Sequence, residues 1–233
     1  MSRPTGRRNA DFEASRTELL ERITHAVVQH PHSSSFAELA EASGVARTTL
    51  RHYFGTRELL LQALLAHMEV LGQQAEARHS IPGDLPLAQA LRLALDRLVF
   101  GWRVGVGSLF VAGLLWGLGD EALGPAYVRS LLEPMLLGFE RRLHSRLCTA
   151  GMSEQQARHA ALALVSPVVL ALLHQESLHG VKCRPLDIDE FIPQHLERFL
   201  RGWCPQELDS GAQAITSSER WGEVGSATPE RRR

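Results

Sequence analysis

Four side chains able to hydrogen-bond to nucleic-acid bases stand close together near the N-terminus: Arg47, Thr48, Arg51 and His52. An arginine can bond bidentately to the O6 and N7 atoms of guanine, and a threonine can use its hydroxyl or its methyl group. No acidic residue occurs in residues 44–57, so nothing in this stretch repels a phosphate backbone. The residue types therefore predict contact with base edges in double-stranded DNA.

Such contacts need a short exposed helix, and residues 34–57 predict one as the second of two helices joined by a tight turn. Ser35 is placed to cap the first helix, and Glu38 three residues later completes a capping box. Gly44 stands where the chain must reverse with a positive φ angle. A second helix is predicted from about Ala46 to Phe54. This is the pattern of a helix-turn-helix, whose second helix enters the major groove.

At these positions the chain resembles the TetR/AcrR (tetracycline-repressor) family of bacterial transcription factors. Thr48, Arg51 and Gly55 stand where the family pattern often has Gly, Tyr and Pro. The resemblance covers about residues 16–66 with fixed spacing. The matching residues are Ser34-Ser35-Phe36, Leu39-Ala40, Gly44-Val45-Ala46, Thr49-Leu50, His52-Tyr53-Phe54, Thr56-Arg57-Glu58 and Leu60.

The resemblance implies a homodimeric repressor that binds a palindromic operator and is released by a small-molecule ligand. Phosphate contacts would come from Ser35, Tyr53 and Arg57, and the four residues named first would contact bases. Arg57 stands where the family has a phosphate-binding Lys. The complete predicted set of DNA-binding residues is Ser35, Arg47, Thr48, Thr49, Arg51, His52, Tyr53 and Arg57.

The whole chain has 233 residues, 44% hydrophobic residues and a net charge of -1, which is ordinary for a globular protein. No segment alternates with the period of a strand, so the predicted fold is all-α. A three-helix head in residues 16–66 precedes a larger helical ligand-binding and dimerisation domain in residues 67–204. Residues 1–15 predict a basic arm, either solvated or lying along DNA, and residues 205–233 predict a disordered tail.

Helical periodicity and turn-forming residues place seven helices outside the turn motif. The helix that begins at Arg57 is predicted to be the only rigid link between the head and the rest, because a turn-rich loop follows it at residues 80–86. The predicted ranges are 15–30, 57–78, 87–105, 110–119, 125–150, 154–179 and 188–203.

Aromatic residues and glycines are dense in the middle of the chain. A ligand pocket among helices is mostly apolar with a few polar groups, whereas ordinary core packing gives the same composition. The glycines at positions 101–119 fit either close helix packing or a cavity with mobile walls. The residues predicted to line a pocket are Trp102, Phe110, Trp116, Tyr127 and Met135.

The last two long helices each carry a wide apolar stripe. Two such hairpins facing each other would form a four-helix interface with two-fold symmetry, as in the resembled family. The alternative is that both stripes are buried within one chain. The residues predicted to form the dimer interface are Ala161, Leu164, Val168, Leu172, Phe191, Leu196 and Phe199.

Other chemistry finds little support. His174, Glu176, His179 and Cys183 lack the spacing of a helical zinc site. No motif of nucleophilic, nucleotide-dependent or metal catalysis occurs. We therefore expect no enzyme, no cofactor and no metal. The competing hypothesis is a helical small-molecule-binding protein or enzyme whose head no longer binds DNA.

Three cysteines at wide spacing, Cys148, Cys183 and Cys204, indicate reduced thiols in a cytoplasmic protein. The N-terminal residues lack the apolar segment of a signal peptide. The apolar stretches 104–119 and 160–173 are shorter than the ~18 residues of a membrane-spanning helix. We therefore expect no membrane contact.

Overall fold

The chain folds into a bundle of helices in the computed structural model, which describes residues 5–147 and 151–204, with side chains from Asp11 onward. Every regular element in these ranges is helical, which confirms the predicted all-α fold. The helices are α1 Thr5–Gln29, α2 Phe36–Ser43, α3 Arg47–Phe54, α4 Arg57–Arg78, α5 Leu87–Gly101, α6 Gly107–Gly117, α7 (Leu123–Tyr127, the π-helical turn Val128–Leu132 and Glu133–Leu147), α8 Glu154–Leu172 and α9 Ile188–Trp203.

The turn motif between α2 and α3 has the predicted geometry. The Ser35 hydroxyl accepts a hydrogen bond from the Glu38 backbone N–H, and the Glu38 carboxylate accepts from the N–H groups of Ser34 and Ser35 at 2.9 Å. Gly44 ends α2 with φ of 64°, the left-handed conformation that L side chains disfavour. Ala46 caps α3 without a side-chain hydrogen bond. The capping box and the glycine therefore fix the angle between the two helices.

Helix α1 begins at Thr5, ten residues earlier than predicted. Residues 5–15 are therefore helical, and whether this basic segment is solvated or lies along DNA stays a prediction; residues 1–4 lie outside the described part of the chain. Arg, Ala and Glu in this segment all favour helix, and Phe12 stacks on Tyr53 of α3 with ring centroids 4.7 Å apart. A contact distant in sequence thus stabilises a segment whose charges suggested solvent.

Two helices of the C-terminal part share a core with the head. One cluster of buried side chains joins Ile23 of α1, Leu39 of α2, Leu50 of α3 and Leu64 of α4 to Trp116 of α6. Leu123, Ala126 and Tyr127 of α7 belong to the same cluster. The prediction that α4 is the only rigid link is therefore wrong, because α6 and α7 also pack directly against the head.

Glycines let α6 approach α7 closely. A Cβ atom on Gly113 would lie 2.6 Å from the Tyr127 ring, and one on Gly117 would lie 3.2 Å from the Cα atom of Gly124. A Cβ on Gly107 would likewise lie 2.6 Å from the Trp102 ring. Of the two explanations for the glycine density, the structure supports close packing at these positions.

Two predicted helices differ at their ends because π-helical turns interrupt them, and a third differs at its start. The helix predicted to reach residue 105 ends at Gly101, and the π turn Trp102–Val106 joins it to α6. Helix α8 ends at Leu172 and continues as the π turn Leu173–Ser177. Helix α7 starts at Leu123 and is described to Leu147. Cys148 and the predicted tail in residues 205–233 lie outside the described residues.

The apolar stripes of α8 and α9 are buried within one chain. Six of the seven predicted dimer residues have at most 6% of their surface exposed, because α5, α7 and α9 pack around α8; only Phe191 is partly exposed. The assignment of these six residues to a dimer interface is therefore wrong. They are Ala161, Leu164, Val168, Leu172, Leu196 and Phe199.

Two helical stretches are long and apolar enough to cross a bilayer by length and composition, Leu87–Gly117 with 31 residues and Glu154–Ser177 with 24. These helices are longer than the apolar stretches 104–119 and 160–173 that lie within or overlap them, and the expectation of no membrane contact stays a prediction. Core helices of globular proteins pass the same test. The first stretch carries Arg92, which pairs with Asp96 at 2.9 Å, and the second packs into the core through its Ala and Leu side chains.

Two glycine substitutions should affect stability in opposite directions. Gly44→Ala should lower the free energy of unfolding by about 1–2 kcal/mol, because an alanine in the left-handed conformation is strained. The added Cβ atom itself has room, since its nearest neighbour lies 3.8 Å away. Gly72→Ala, inside α4 with nothing within 4 Å of the added Cβ, should raise it by about 0.5–1 kcal/mol. Urea unfolding measures the free energy of unfolding of each variant. A change of the same sign and size in both variants would contradict the left-handed conformation of Gly44.

Candidate nucleic-acid interface

Helix α3 presents its hydrogen-bonding residues to solvent. Arg47, Thr48, Arg51 and His52 are exposed, and Thr49 is partly buried. Leu50 and Phe54 point inward with 0% and 5% of their surface exposed. The opposite side of the helix is thus anchored in the head core. The exposed residues form one surface of mixed guanidinium, hydroxyl and imidazole groups without a carboxylate.

An aromatic group at the end of α3 extends this surface to α1. Tyr53 lies between Phe12, whose ring centroid is 4.7 Å away, and His52, whose centroid is 5.1 Å away. Phe12 also contacts His52 edge-on at 6.0 Å. Phe12 was not among the predicted DNA-binding residues, because residues 1–15 were predicted to form a basic arm. The sequence signal that could have indicated this contact is Phe12 itself, an aromatic residue shortly before the predicted helix 15–30.

Arg57 lies at the first position of α4, whose N-terminal cap is the Thr56 side chain. Its Nε donates to the Ser34 carbonyl at 2.7 Å, and its Nη1 lies 3.7 Å from Glu58. The structure therefore brings Arg57 beside Ser35, as a joint phosphate contact requires. The exposed third of the Arg57 side chain and the free N–H groups of a helix N-terminus favour an anion at this place.

The connection between α6 and α7 reaches the same end of the head. The Trp116 indole N–H donates to the Ser33 carbonyl at 3.2 Å. Hydrogen bonds from the backbone N–H groups of Leu123 and Ala122 hold the pKa of Asp120 below its usual value, and the positive charge of Arg57 lowers this pKa further. Trp116 thus ties α6 to the loop that precedes α2, next to the predicted phosphate contacts.

The predicted pocket residues pack against one another and against their neighbours. Phe110 lies between Trp102 and Tyr127, with ring centroids 5.1 and 5.7 Å away. Met135 packs against the core of α5, α7, α8 and α9. Trp116 contacts the head instead. The Tyr127 hydroxyl is buried without a hydrogen-bond partner, and burial raises its pKa. The assignment of these five residues to a pocket stays a prediction.

The residues weighed as metal ligands have other contacts. Glu176 pairs with Arg103 at 3.2 Å, and the His174 ring lies against Gly180, where a Cβ atom would be 2.3 Å from it. In the described ranges, no three His, Cys, Asp or Glu side chains are grouped so that they could hold a metal ion. The arrangement at the end of α8 is one of packing and ion pairs.

Comparison with known proteins finds a similarity to a transcriptional regulator. No protein-family model matches the chain. The chain is 40% identical over 120 residues to the HTH-type transcriptional regulator NfxB of Pseudomonas aeruginosa. The similarity covers 48% of this chain and 64% of that regulator, so the chain spans less than two thirds of the relative's length. The likeness is to a helix-turn-helix regulator, and the TetR/AcrR assignment stays a prediction.

Arg51 provides the most direct test of base contact. Because its exposed guanidinium lies on the outward side of α3, Arg51→Ala should relax base preference at one position of each half-site at a cost of about 1–3 kcal/mol. A binding-site selection with the variant and the wild type measures this. Arg92→Ala is a control, because Arg92 pairs with Asp96 on α5, outside the head. Unchanged selectivity in the Arg51 variant would exclude this residue as a base contact.

Proposed function

We propose that the protein is a DNA-binding transcriptional regulator. The observation that carries the proposal is the outward row of Arg47, Thr48, Arg51 and His52 on a short helix held by a helix-turn-helix. A helix of this kind fits the major groove, where arginine and threonine distinguish base pairs. The similarity to a regulator named for its helix-turn-helix supports the same function.

Phosphate contacts in this proposal come from residues around the head. Ser35, Tyr53 and Arg57 lie beside the exposed row, and the contact of Arg57 with the Ser34 carbonyl keeps two of them together. Such contacts position a protein on the duplex, whereas base contacts give specificity. The net charge of -1 means that attraction to DNA depends on this local surface.

We further propose that the protein acts as a homodimer on a palindromic operator, with a corrected interface on α8. Leu162 and Leu170 of α8 are 52% and 65% exposed, and Ala163 and Ser166 beside them are also exposed. Residues spaced by four lie on one side of a helix. This small-residue and leucine face is opposite the buried stripe, and pairing it with a second copy would remove it from water.

Repression relieved by a small molecule completes the proposal. A ligand releases DNA only if it prefers a state in which the head is misplaced. The contact between Trp116 and Ser33, and the shared core of α1, α4, α6 and α7, provide a packed route from the C-terminal helices to the head. The protein would then act in the cytoplasm, where the DNA is.

DNA binding is tested with the full chain and duplexes from the region upstream of its own gene. We expect saturable binding that weakens from about 50 to about 200 mM salt, because each phosphate contact contributes about 0.9 to the slope of log K against log salt. A duplex of the same composition in scrambled order is the control. No retention of any duplex at low salt would overturn the proposal and favour the helical ligand-binding protein or enzyme.

The dimer face is tested with Leu170→Glu. Burying an unpaired carboxylate costs about 3–5 kcal/mol, so this variant should be monomeric where the wild type is dimeric. Light scattering after size-exclusion chromatography measures the mass. Leu118→Glu is the matched control, since Leu118 is equally exposed at 67% but lies after α6. A wild-type monomer, or a dimeric Leu170→Glu variant, would count against the interface.

A further inference from the structure

An open cleft of about 930 Å³ lies between α4 and α7, apart from the predicted DNA surface and from the aromatic residues of the middle helices. Its α4 side includes Glu69, Gln73 and Glu76, and its α7 side includes Arg141 and Arg142. Ala77, Ile81, Pro134 and Leu137 add apolar surface to its lining. The cleft therefore combines an apolar surface with charges at its ends.

One end of this cleft carries an excess of positive charge. Arg141 and Arg142 of α7 line it, and the charge of Arg97 of α5 acts on Arg142; we call these three residues the arginine cluster. Among the described residues, the only carboxylate within 4 Å of any of them is that of Glu76, 3.8 Å from both Arg141 and Arg142. Arg97 donates to the His79 carbonyl and Arg146 to the carbonyls of Gly83 and Leu85. A single half-exposed carboxylate thus pairs with two guanidinium groups.

Arg142 shows the consequence of this imbalance. Only 25% of its side chain is exposed, and its Nη1 donates to the Gly138 carbonyl. Burial lowers the pKa of Arg142, and the charges of Arg141 and Arg97 lower it further, against the opposing effect of Glu76. A partly buried guanidinium between two others is a place where a further anion is stabilising.

The other end of the cleft has no excess of positive charge to attract an anion. Glu69 lies seven residues before Glu76 and Glu133 lies eight before Arg141, roughly 10–12 Å along their helices. Glu133 is itself paired with Arg158 at 3.6 Å. Arg129 lines this end as well. An elongated ligand therefore has one favourable orientation, with its anionic group at the arginine cluster and its apolar body over Leu137 and Pro134.

We propose that this cleft binds an amphiphilic anion, a carboxylate or a phosphate monoester on an apolar chain, and that the anion replaces Glu76 as the partner of Arg141 and Arg142. Glu76 belongs to α4, the helix that begins with Arg57 at the predicted DNA surface. Release of Glu76 thus changes how α4 is held against α7. The regulatory part of this inference rests on the proposed function, whereas the binding site does not.

Binding is tested by calorimetry on the full chain without DNA, using decanoate and decyl phosphate below their micellar concentrations. Both anions should bind saturably. The one that binds more tightly shows whether the cleft prefers a carboxylate or a phosphate monoester. Decyltrimethylammonium has a similar apolar chain with the opposite charge and should not bind at the cleft. Equal binding of the cation, or no saturable binding of either anion at millimolar concentration, would overturn the proposal.

Substitutions of Arg141 and Glu76 should change anion affinity in opposite directions. Arg141→Gln should weaken anion binding about tenfold, as expected for one charge-assisted hydrogen bond. Glu76→Gln should tighten it several-fold, because it removes the internal competitor for both arginines. Arg92→Gln is the control, since Arg92 pairs with Asp96 outside this cleft. Arg141 and Glu76 are 70% and 50% exposed, so both variants should fold, which thermal unfolding checks. Unchanged affinity in both variants would refute the site.

A second measurement separates this inference from the proposed function. Titrating the tighter-binding anion into the protein–operator complex should lower DNA affinity, and Glu76→Gln should reach the same loss at a lower anion concentration. If the anion binds but DNA affinity is unchanged, the proposed effect on DNA binding is overturned, whereas the proposed anion site stands. Absence of DNA binding would overturn the proposed function, and the calorimetric result would still decide the site.

Discussion

The packing of α6 and α7 against the head is the contact on which the rest of the structure depends. A three-helix head has few apolar side chains, and on its own it would leave Leu60, Leu61, Leu64 and Leu65 of α4 with incomplete cover. Trp116, Leu123 and Tyr127 complete that core, and the glycines of α6 and α7 allow the close approach that this requires. The head is therefore a part of the helical body and does not hang from a single helix.

This packing explains which features the sequence could predict. Local signals sufficed for the capping box at Ser35, the left-handed Gly44 and the bounds of α4 and α9, because each depends on residues within one or two turns. The outward residues of α3 followed from the same periodicity. Contacts between distant segments were not predictable in this way, and Phe12 on Tyr53, Trp116 on Ser33 and Glu76 at Arg142 are of that kind.

The apolar stripe of α8 shows why a correct pattern can be assigned to the wrong partner. Ala161, Leu164 and Val168 have the spacing of a helix-packing face, but periodicity does not say whether the neighbour belongs to the same chain. Three neighbouring helices, α5, α7 and α9, were enough to bury this face internally. The opposite face, with Leu162 and Leu170, has weaker periodicity because Ser166 and Ala163 interrupt it, so it escaped notice.

Helix α4 receives two kinds of contact along its length, and they differ in how readily they change. Its first half packs through Leu60, Leu61, Leu64 and Leu65 into a dry core that resists deformation. Its last two turns are solvent-exposed and are held by Glu76 to two arginines at 3.8 Å, a separation at which exposed ion pairs contribute little. A ligand therefore meets least resistance at the end far from the DNA surface. If the proposed anion binds there, the packed core that joins Trp116 to the head is the route by which a change in α4 would reach Arg57.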